Sequence, residues 1–409
     1  ARRFYLKLAW RNTFRNKRRT IIASIAMGIG LACLIFYDAI LIGMERSFVL
    51  SATDTYLGQA QIHRRGFRET MQVDDTILEL DKVTSGLAEN KTVEAFTVRA
   101  LSLAMVTSPS DAASVLLVGA DPDTEKRISR VDRAIREGGF FRTGDERDIV
   151  IGSELAETLA VALGDRVVIT ASQAGTGDLA QDMFLVSGIY HFNAKELDSG
   201  MAFIRLSKAR QLLGIGHGAH EIALKFKSLE MSENKSLPFW KEYSRFGNEA
   251  VSWVDLLPQL KAVFDLTGII RLVMAGLLIG VVVFGVINTL FMSLYERLFE
   301  FGVLRAVGTR PGGIRKLVVF EAGGLGILSS GVGILLGLLA QLAVGHTGID
   351  YRGIEFAGAT IQNVIYPVIR LYQYVIYPIG LCVFTLLIGF YPARVAAKMP
   401  ITEAMRRSF

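Results

Sequence analysis

The stretch from Val286 to Ala322, VINTLFMSLYERLFEFGVLRAVGTRPGGIRKLVVFEA, changes character twice. It opens uncharged and apolar, turns polar at Glu296 and is apolar again from Leu317. The runs on either side are long enough to cross a bilayer, so the polar segment between them belongs at a membrane surface. Within it Tyr295, Phe299 and Gly302 recur at helical spacing, and Leu298, Phe301 and Arg305 form a neighbouring stripe. The run Gly308-Thr309-Arg310-Pro311-Gly312-Gly313 then stops the helix. A short helix with aromatic anchors suits a groove on a partner protein, although a plain basic loop would carry the same charges.

Working outward, hydrophobic residues make up 51% of the 409-residue chain, high for a soluble protein. Apolar runs of spanning length occur at Ile21–Met44 (with Asp38 near its outer end), Leu272–Tyr295, Ala322–Gly345 and Leu371–Ala393. The first has a heavy basic flank and no small-residue cleavage site, unlike a signal peptide. The expected layout is an amphipathic segment at 1–20 and spans at 21–44, 269–295, 317–345 and 371–393. A large domain at 45–268, a polar segment at 296–316, a loop at 346–370 and a tail at 394–409 complete it. Lysine and arginine crowd 1–20, 295–316 and the tail, which predicts that both termini and the polar segment face the cytoplasm. The large domain then faces outward. The net charge of +6 sits largely in these membrane-surface segments, where lipid headgroups and not nucleic acid are the natural partner.

The 45–268 region alternates β-type runs (Val115–Val118, Ile149–Ile151, Arg166–Thr170, Phe184–Ile189, Met201–Ile204, Glu221–Phe226) with helical stretches at Ser153–Leu163 and Ser207–Leu213. This predicts a mixed α/β core of two subdomains, with Asp198–Met201 as a turn before a strand. The domain has no cysteine, and Cys33 and Cys382 lie within spans, where they read as small packing residues.

Phe36, Ile40, Met44 and Phe48 recur every four residues. Phe264, Leu266, Ile269 and Ile270 bring apolar groups to a similar depth at the second span. The two sets could line an apolar cavity open to the outer leaflet; lipid-facing or helix-packing side chains fit the same pattern. Glycines 323, 324, 326, 331, 333 and 337 of the third span suit close helix packing. Phe4, Leu6, Trp10 and Phe14 interleave with bases and suit a helix in the interface plane.

No lysine follows a glycine, so a Walker A phosphate loop is absent, and no HExxH or paired Cys-x-x-Cys occurs. His217 and His220 in a glycine-rich loop are a weak metal signal. The spans hold almost no ionisable group for an ion relay. The chain therefore reads as non-catalytic and free of bound cofactor or metal, with energy arriving from a partner.

Four segments, in order, carry a family resemblance: LAWRNTFRNKRRT (Leu8–Thr20), IGSELAETLAVALGDRVVIT (Ile151–Thr170) with DSGMAFIRLSKARQLLGI (Asp198–Ile215), ERLFEFGVLRAVGTRPGGIRKLVVFEA (Glu296–Ala322) and YPARVAAKMPITEAMR (Tyr391–Arg406). The chain resembles the FtsX/MacB/LolC superfamily of ABC permeases, most closely the lipoprotein-releasing LolC/LolE type. The resemblance implies an α-helical inner-membrane protein of four spans, with a Porter- and Sabre-like periplasmic domain between the first two. It implies pairing with a second permease subunit and with two copies of a LolD-like ATPase that uses ATP and Mg. By position, Glu296, Arg297, Glu300, Phe301, Leu304, Arg305 and Gly308 would dock into that ATPase. The lipoprotein substrate would occupy the cavity at Phe36, Ile40, Met44, Phe48, Phe264 and Ile269, and leave to a LolA-like periplasmic carrier. A hairpin hook that recruits such a carrier would correspond to Ala171–Met183. The alternative function is a mechanotransmitter that drives an outside partner without passing a membrane substrate.

Overall fold

The computed structural model describes residues 2–141, 146–351, 355–356, 359–360 and 364–398. The tail beyond 398, and the side chains of Phe4 and Leu6, lie outside the described residues. Two units emerge: Ala1–Arg46 with Phe264–Asp350 and Val364–Phe409, and Ser47–Val263 with Tyr351–Asn363.

Among the described residues, four helices lying wholly or mostly in the first unit are long and apolar enough to span a membrane: Lys17–Ala52, Pro258–Glu296, Pro311–Thr347 and Ile376–Lys398. Each runs past its apolar run by a turn or more at one end or both, because polar residues at a span's ends can continue a helix beyond the hydrocarbon. Close approaches at glycines bring the third helix against the first and the fourth. A Cβ at Gly333 would sit 2.7 Å from Leu31, and one at Gly28 would sit 2.6 Å from Val332, so first and third helices cross where neither backbone carries a side chain. Gly389 and Ala322 make a similar approach between fourth and third, at 2.6 Å. Gly331, by contrast, faces open space. Met27, Leu31, Ile35, Val286, Leu290 and Leu325 fill the bundle interior. The second helix leaves the broadest apolar face uncovered, including Leu272, Val281 and Phe284.

Among the described residues, the main sheet of the second unit has ten strands: β1 (Ala60–Arg64), β2 (Val93–Thr107), β3 (Ala112–Ala120), β4 (Ile135–Gly138), β5 (Asp148–Gly152), β6 (Arg166–Ser172), β7 (Leu179–Tyr190), β8 (Met201–Arg205), β9 (Glu221–Phe226) and β10 (Asn248–Ser252). They run β10-β1-β9-β2-β3-β8-β5-β7-β4, and β6 pairs with both β2 and β7. That double pairing closes β2-β3-β8-β5-β7-β6 into a ring. Residues pointing into it alternate along each strand, among them Val106, Leu117, Ile149, Ile169, Phe184 and Ile204. The helices Ser153–Leu159 and Leu206–Leu213 cap this core with Leu155, Leu159, Leu212 and Leu213. A second core lies against β1 and β9, where the rings of Phe226, Phe239, Trp240 and Tyr243 meet edge-on or tilted.

Two local expectations change. The helix expected over Ser153–Leu163 stops at Leu159, because Ala160 turns left-handed and its amide closes on the Ala156 and Glu157 carbonyls. Asp165 then takes the Ala162 amide at 2.8 Å and sets a turn. The Asp198–Met201 turn is instead the end of a helix, Lys195–Gly200. Asp198 is buried there and accepts the amides of Phe192 (2.7 Å) and Ala194 (3.3 Å).

A buried ionic network holds β2, β9 and the helix Pro122–Ile128 together. Arg99, fully buried, donates to Glu125 from Nε and Nη2 (2.9 and 2.6 Å), to Glu221 from Nη1 (2.6 Å) and to the Tyr56 carbonyl (2.8 Å). Its guanidinium also lies 4.1 Å from the Tyr56 ring centroid. Burial opposes the charge on both sides, but Glu125 holds the guanidinium above its ordinary range and Arg99 holds the Glu221 carboxyl below its own.

Candidate functional site

The polar segment after the second span folds as a separate short helix, Leu298–Ala306. The second long helix runs to Glu296 and breaks at Arg297 (φ −115°, ψ 16°). The short helix ends where Gly308 takes φ 98°, a left-handed position that favours glycine. Pro311 then starts the third long helix at its first turn, where its missing N–H costs nothing.

Arg297 is the hub of this end of the bundle. It is buried, donating to Glu321 on the third helix at 2.6 Å and to Glu300 at 3.0 Å, with Phe301 under its guanidinium at 5.1 Å. Burial works against its charge, yet Glu321 and Glu300 hold the guanidinium above its ordinary range. Glu321 also accepts Asn12 at 2.8 Å, and Arg15 pairs with Glu300 at 2.6 Å. Burial raises the Glu300 carboxyl, but Arg297 and Arg15 together hold it below the usual range. Arg19 pairs with Glu296. These contacts tie the N-terminal helix Arg2–Thr13 to the third long helix, the turn after it to the short helix, and the start of the first span to the end of the second.

The seven docking residues expected here therefore divide. Arg297 and Phe301 (3% exposed) face inward with Leu298 and Gly302, packing against Ile314, Leu317 and Ala396. Glu296 and Glu300 are engaged by arginines, and Arg305 donates to the Ala397 carbonyl at 3.3 Å. Leu304 is half-buried and Gly308 exposed. The outward stripe is Phe299, Val303 and Val307, the last 83% exposed. Four-residue spacing identifies such a stripe in the sequence; it does not say which stripe faces out.

The cavity set spreads over both units. Phe36, Ile40 and Met44 are half-buried on the first helix, Phe264 is half-buried and Ile269 exposed on the second, and Phe48 is buried in the second unit. Near Ile40 and Met44 lies a cluster that composition alone passed over. Asp38, fully buried, accepts from Tyr372 Oη (2.7 Å) and Gln373 Nε2 (2.9 Å) and ion-pairs with Arg271 Nε (3.3 Å). Arg271 donates to Glu45 at 2.8 Å. It ties the ends of the first, second and fourth helices together. An acidic residue inside a span needs such a partner, and that is the signal that would have found it.

Of the two histidines of the weak metal signal, His220 has both nitrogens engaged: Nδ1 accepts the Leu101 amide (3.0 Å) and Nε2 faces the Val73 carbonyl (2.8 Å).

Two family models match the chain: a MacB-like periplasmic core domain over residues 20–233 and an FtsX-like permease C-terminal region over 272–401. An uncharacterised ABC transporter permease of Methanocaldococcus jannaschii is 26% identical, over 66% of this chain and 65% of its own length. The lipoprotein-releasing system transmembrane protein LolE of Haemophilus influenzae is 21% identical, over 82% of each chain. The macrolide export ATP-binding/permease protein MacB of Wolinella succinogenes is 24% identical, over 98% of this chain and 60% of its own. The chain thus spans less than two thirds of the archaeal permease and of MacB.

Proposed function

Because this chain belongs to the family of ABC transporter permeases that join a MacB-like periplasmic core to an FtsX-like C-terminal region, we propose that it is the membrane subunit of an ATP-driven complex that extracts acylated proteins from the outer leaflet. A separate ATPase docks on the helix Leu298–Ala306 from the cytoplasm, which places both termini on that side. The observation that carries this reading is the division of that helix. Its inner side is bolted to Glu321 through Arg297, while Phe299, Val303 and Val307 stand outward, exposed among the described residues. An apolar stripe on a surface helix is what a partner groove takes up. Force applied there reaches the third helix through Arg297–Glu321 and the first through Arg15, Asn12 and Arg19. Two permease chains would face each other, and Phe36, Ile40, Met44, Phe264 and Ile269 would line the acyl cavity between them.

The Asp38–Arg271 tie favours a second reading. If the first and second helices stay closed at that end, no acyl chain passes, and the protein moves its outer domain to drive an external partner.

Purification of the complex in mild detergent, followed by mass spectrometry of polypeptides and acyl chains, separates the two. A bound triacylated protein with an ATPase supports release; an ATPase with a duct or hydrolase and no lipidated cargo supports mechanotransmission. Met44→Asp should abolish release under the first reading and leave ATP hydrolysis intact.

A further inference from the structure

The N-terminal helix Arg2–Thr13 has two faces. Leu8 and Ala9 pack into the cluster of Leu294, Leu298 and Ile314, and Asn12 donates to Glu321. The other face carries Lys7, Trp10 and Arg11, all exposed. Phe14, exposed just beyond the helix end, sets its ring 5.2 Å from that of Trp10. Residues 1–20 contain no acid. The acids paired with this region are already held: Glu296 by Arg19, Glu300 by Arg15 and Arg297, Glu321 by Arg297 and Asn12. Lys7, Arg11, Lys17 and Arg18 are exposed and have no acidic partner among the described residues. The sign of the face rests on lysine and arginine alone, so no titrating group decides it.

The first long helix, Lys17–Ala52, sets the depth of these charges. Arg18, Ile22, Ile25 and Ile29 recur at helical spacing on one face, and all four are exposed. Lys17 stands one turn before the exposed Ile21. Cations one turn from the first apolar residues sit at head-group level, and the isoleucine stripe continues that line into the hydrocarbon. Trp10 and Phe14 beside bases suit the same boundary. An acidic protein surface would match the charge but leave the isoleucine stripe without a role. A phospholipid of negative head group matches both.

We propose that this surface binds anionic phospholipid, with head groups against Lys7, Arg11 and Arg18 and acyl chains along Ile22, Ile25 and Ile29. The lipid also acts on the docking helix. Asn12 and Arg15 of the same segment hold Glu321 and Glu300, the two acids that hold Arg297. A segment anchored by lipid therefore keeps Leu298–Ala306 in place for the ATPase. The binding surface stands without the transport reading, whereas this regulation rests on the ATPase docking there.

Trp10 reports on this surface alone, because the other two tryptophans, Trp240 and Trp253, are buried in the second unit. The full chain is placed in phosphatidylcholine nanodiscs with a minor share of phosphatidylglycerol, and one lipid or the other is brominated high on its acyl chains. Mole for mole, brominated phosphatidylglycerol should quench Trp10 about fivefold or more above brominated phosphatidylcholine, the effect of one base at a charged surface. Salt should reduce the preference. Lys7→Gln with Arg11→Gln, both exposed changes, should remove most of it. Equal quenching by the two lipids in the unaltered chain, or quenching by neither, would overturn the binding surface. With the ATPase added, hydrolysis should rise severalfold when phosphatidylglycerol is included, and not in the double variant. A rise that survives the double variant would overturn the regulation. Absence of hydrolysis in every lipid would count against ATPase docking instead, and Trp10 quenching would still decide the lipid surface.

Discussion

Arg297 stands at the junction of three helices, and its charge is answered by Glu321 in a site nearly closed to solvent. Removing one partner strands the other, at a cost of about 3–5 kcal/mol, whereas replacing both with apolar residues is near neutral. Arg297→Ala should therefore lower the melting temperature of the purified protein sharply, and Arg297→Met with Glu321→Met should restore most of it. Equal losses in single and double variants would contradict the buried pairing. In the outer domain, burial holds the His220 imidazole below its ordinary 6.5, and the Glu221 carboxyl sits below 4.5. An unfolded chain takes a proton on His220 below about pH 6.5, before the folded one does, so the unfolded state gains as pH falls. The His220 contribution is present above 6.5 and is lost as pH falls through the depressed folded value. The Glu221 contribution is present above 4.5 and disappears at lower pH. Melting curves from pH 8 to 4 should show stability declining in that order; a flat profile would refute it.

The helix Leu298–Ala306 shows what a sequence can and cannot reveal about an element. Its existence, its stop at Gly308 and its place between two spans follow from apolar runs, glycine and proline, all local signals. Its orientation does not, because inward and outward faces are set by Glu321, Ile314 and Ala396, each distant in sequence. The same holds for the strands. Alternation identified six of them, but no local pattern announces that β6 pairs with β2 as well as β7 and closes the ring. The Asp38–Arg271 cluster was legible only in part, as a charge in a span that must be answered. On the outward face, Val303→Asp should uncouple ATP hydrolysis from the permease without altering its melting temperature. Phe301→Asp should destabilise the helix itself, by about 2 kcal/mol or more for a stranded buried charge. If Val303→Asp and Phe301→Asp behaved alike in both assays, the division into faces would be wrong.

For the whole molecule, the bundle depends on close approach at a few glycines. Gly333→Leu would push into Leu31 and should cost about 1–3 kcal/mol as an overpacked contact, while Gly331→Leu points into open space and should cost little. Comparing their melting temperatures in detergent checks the crossing of first and third helices; equal effects would contradict it. The proposed machine then has a continuous route: an ATPase on Phe299, Val303 and Val307, the Arg297–Glu321 pair, and helices packed tightly enough to move together. The most direct test is to reconstitute the chain with its ATPase in vesicles carrying a triacylated protein, and to measure that protein in the soluble fraction with and without ATP. The account predicts ATP-dependent release that Val303→Asp abolishes while the complex remains folded. Hydrolysis of ATP with no acylated protein leaving the membrane would contradict it.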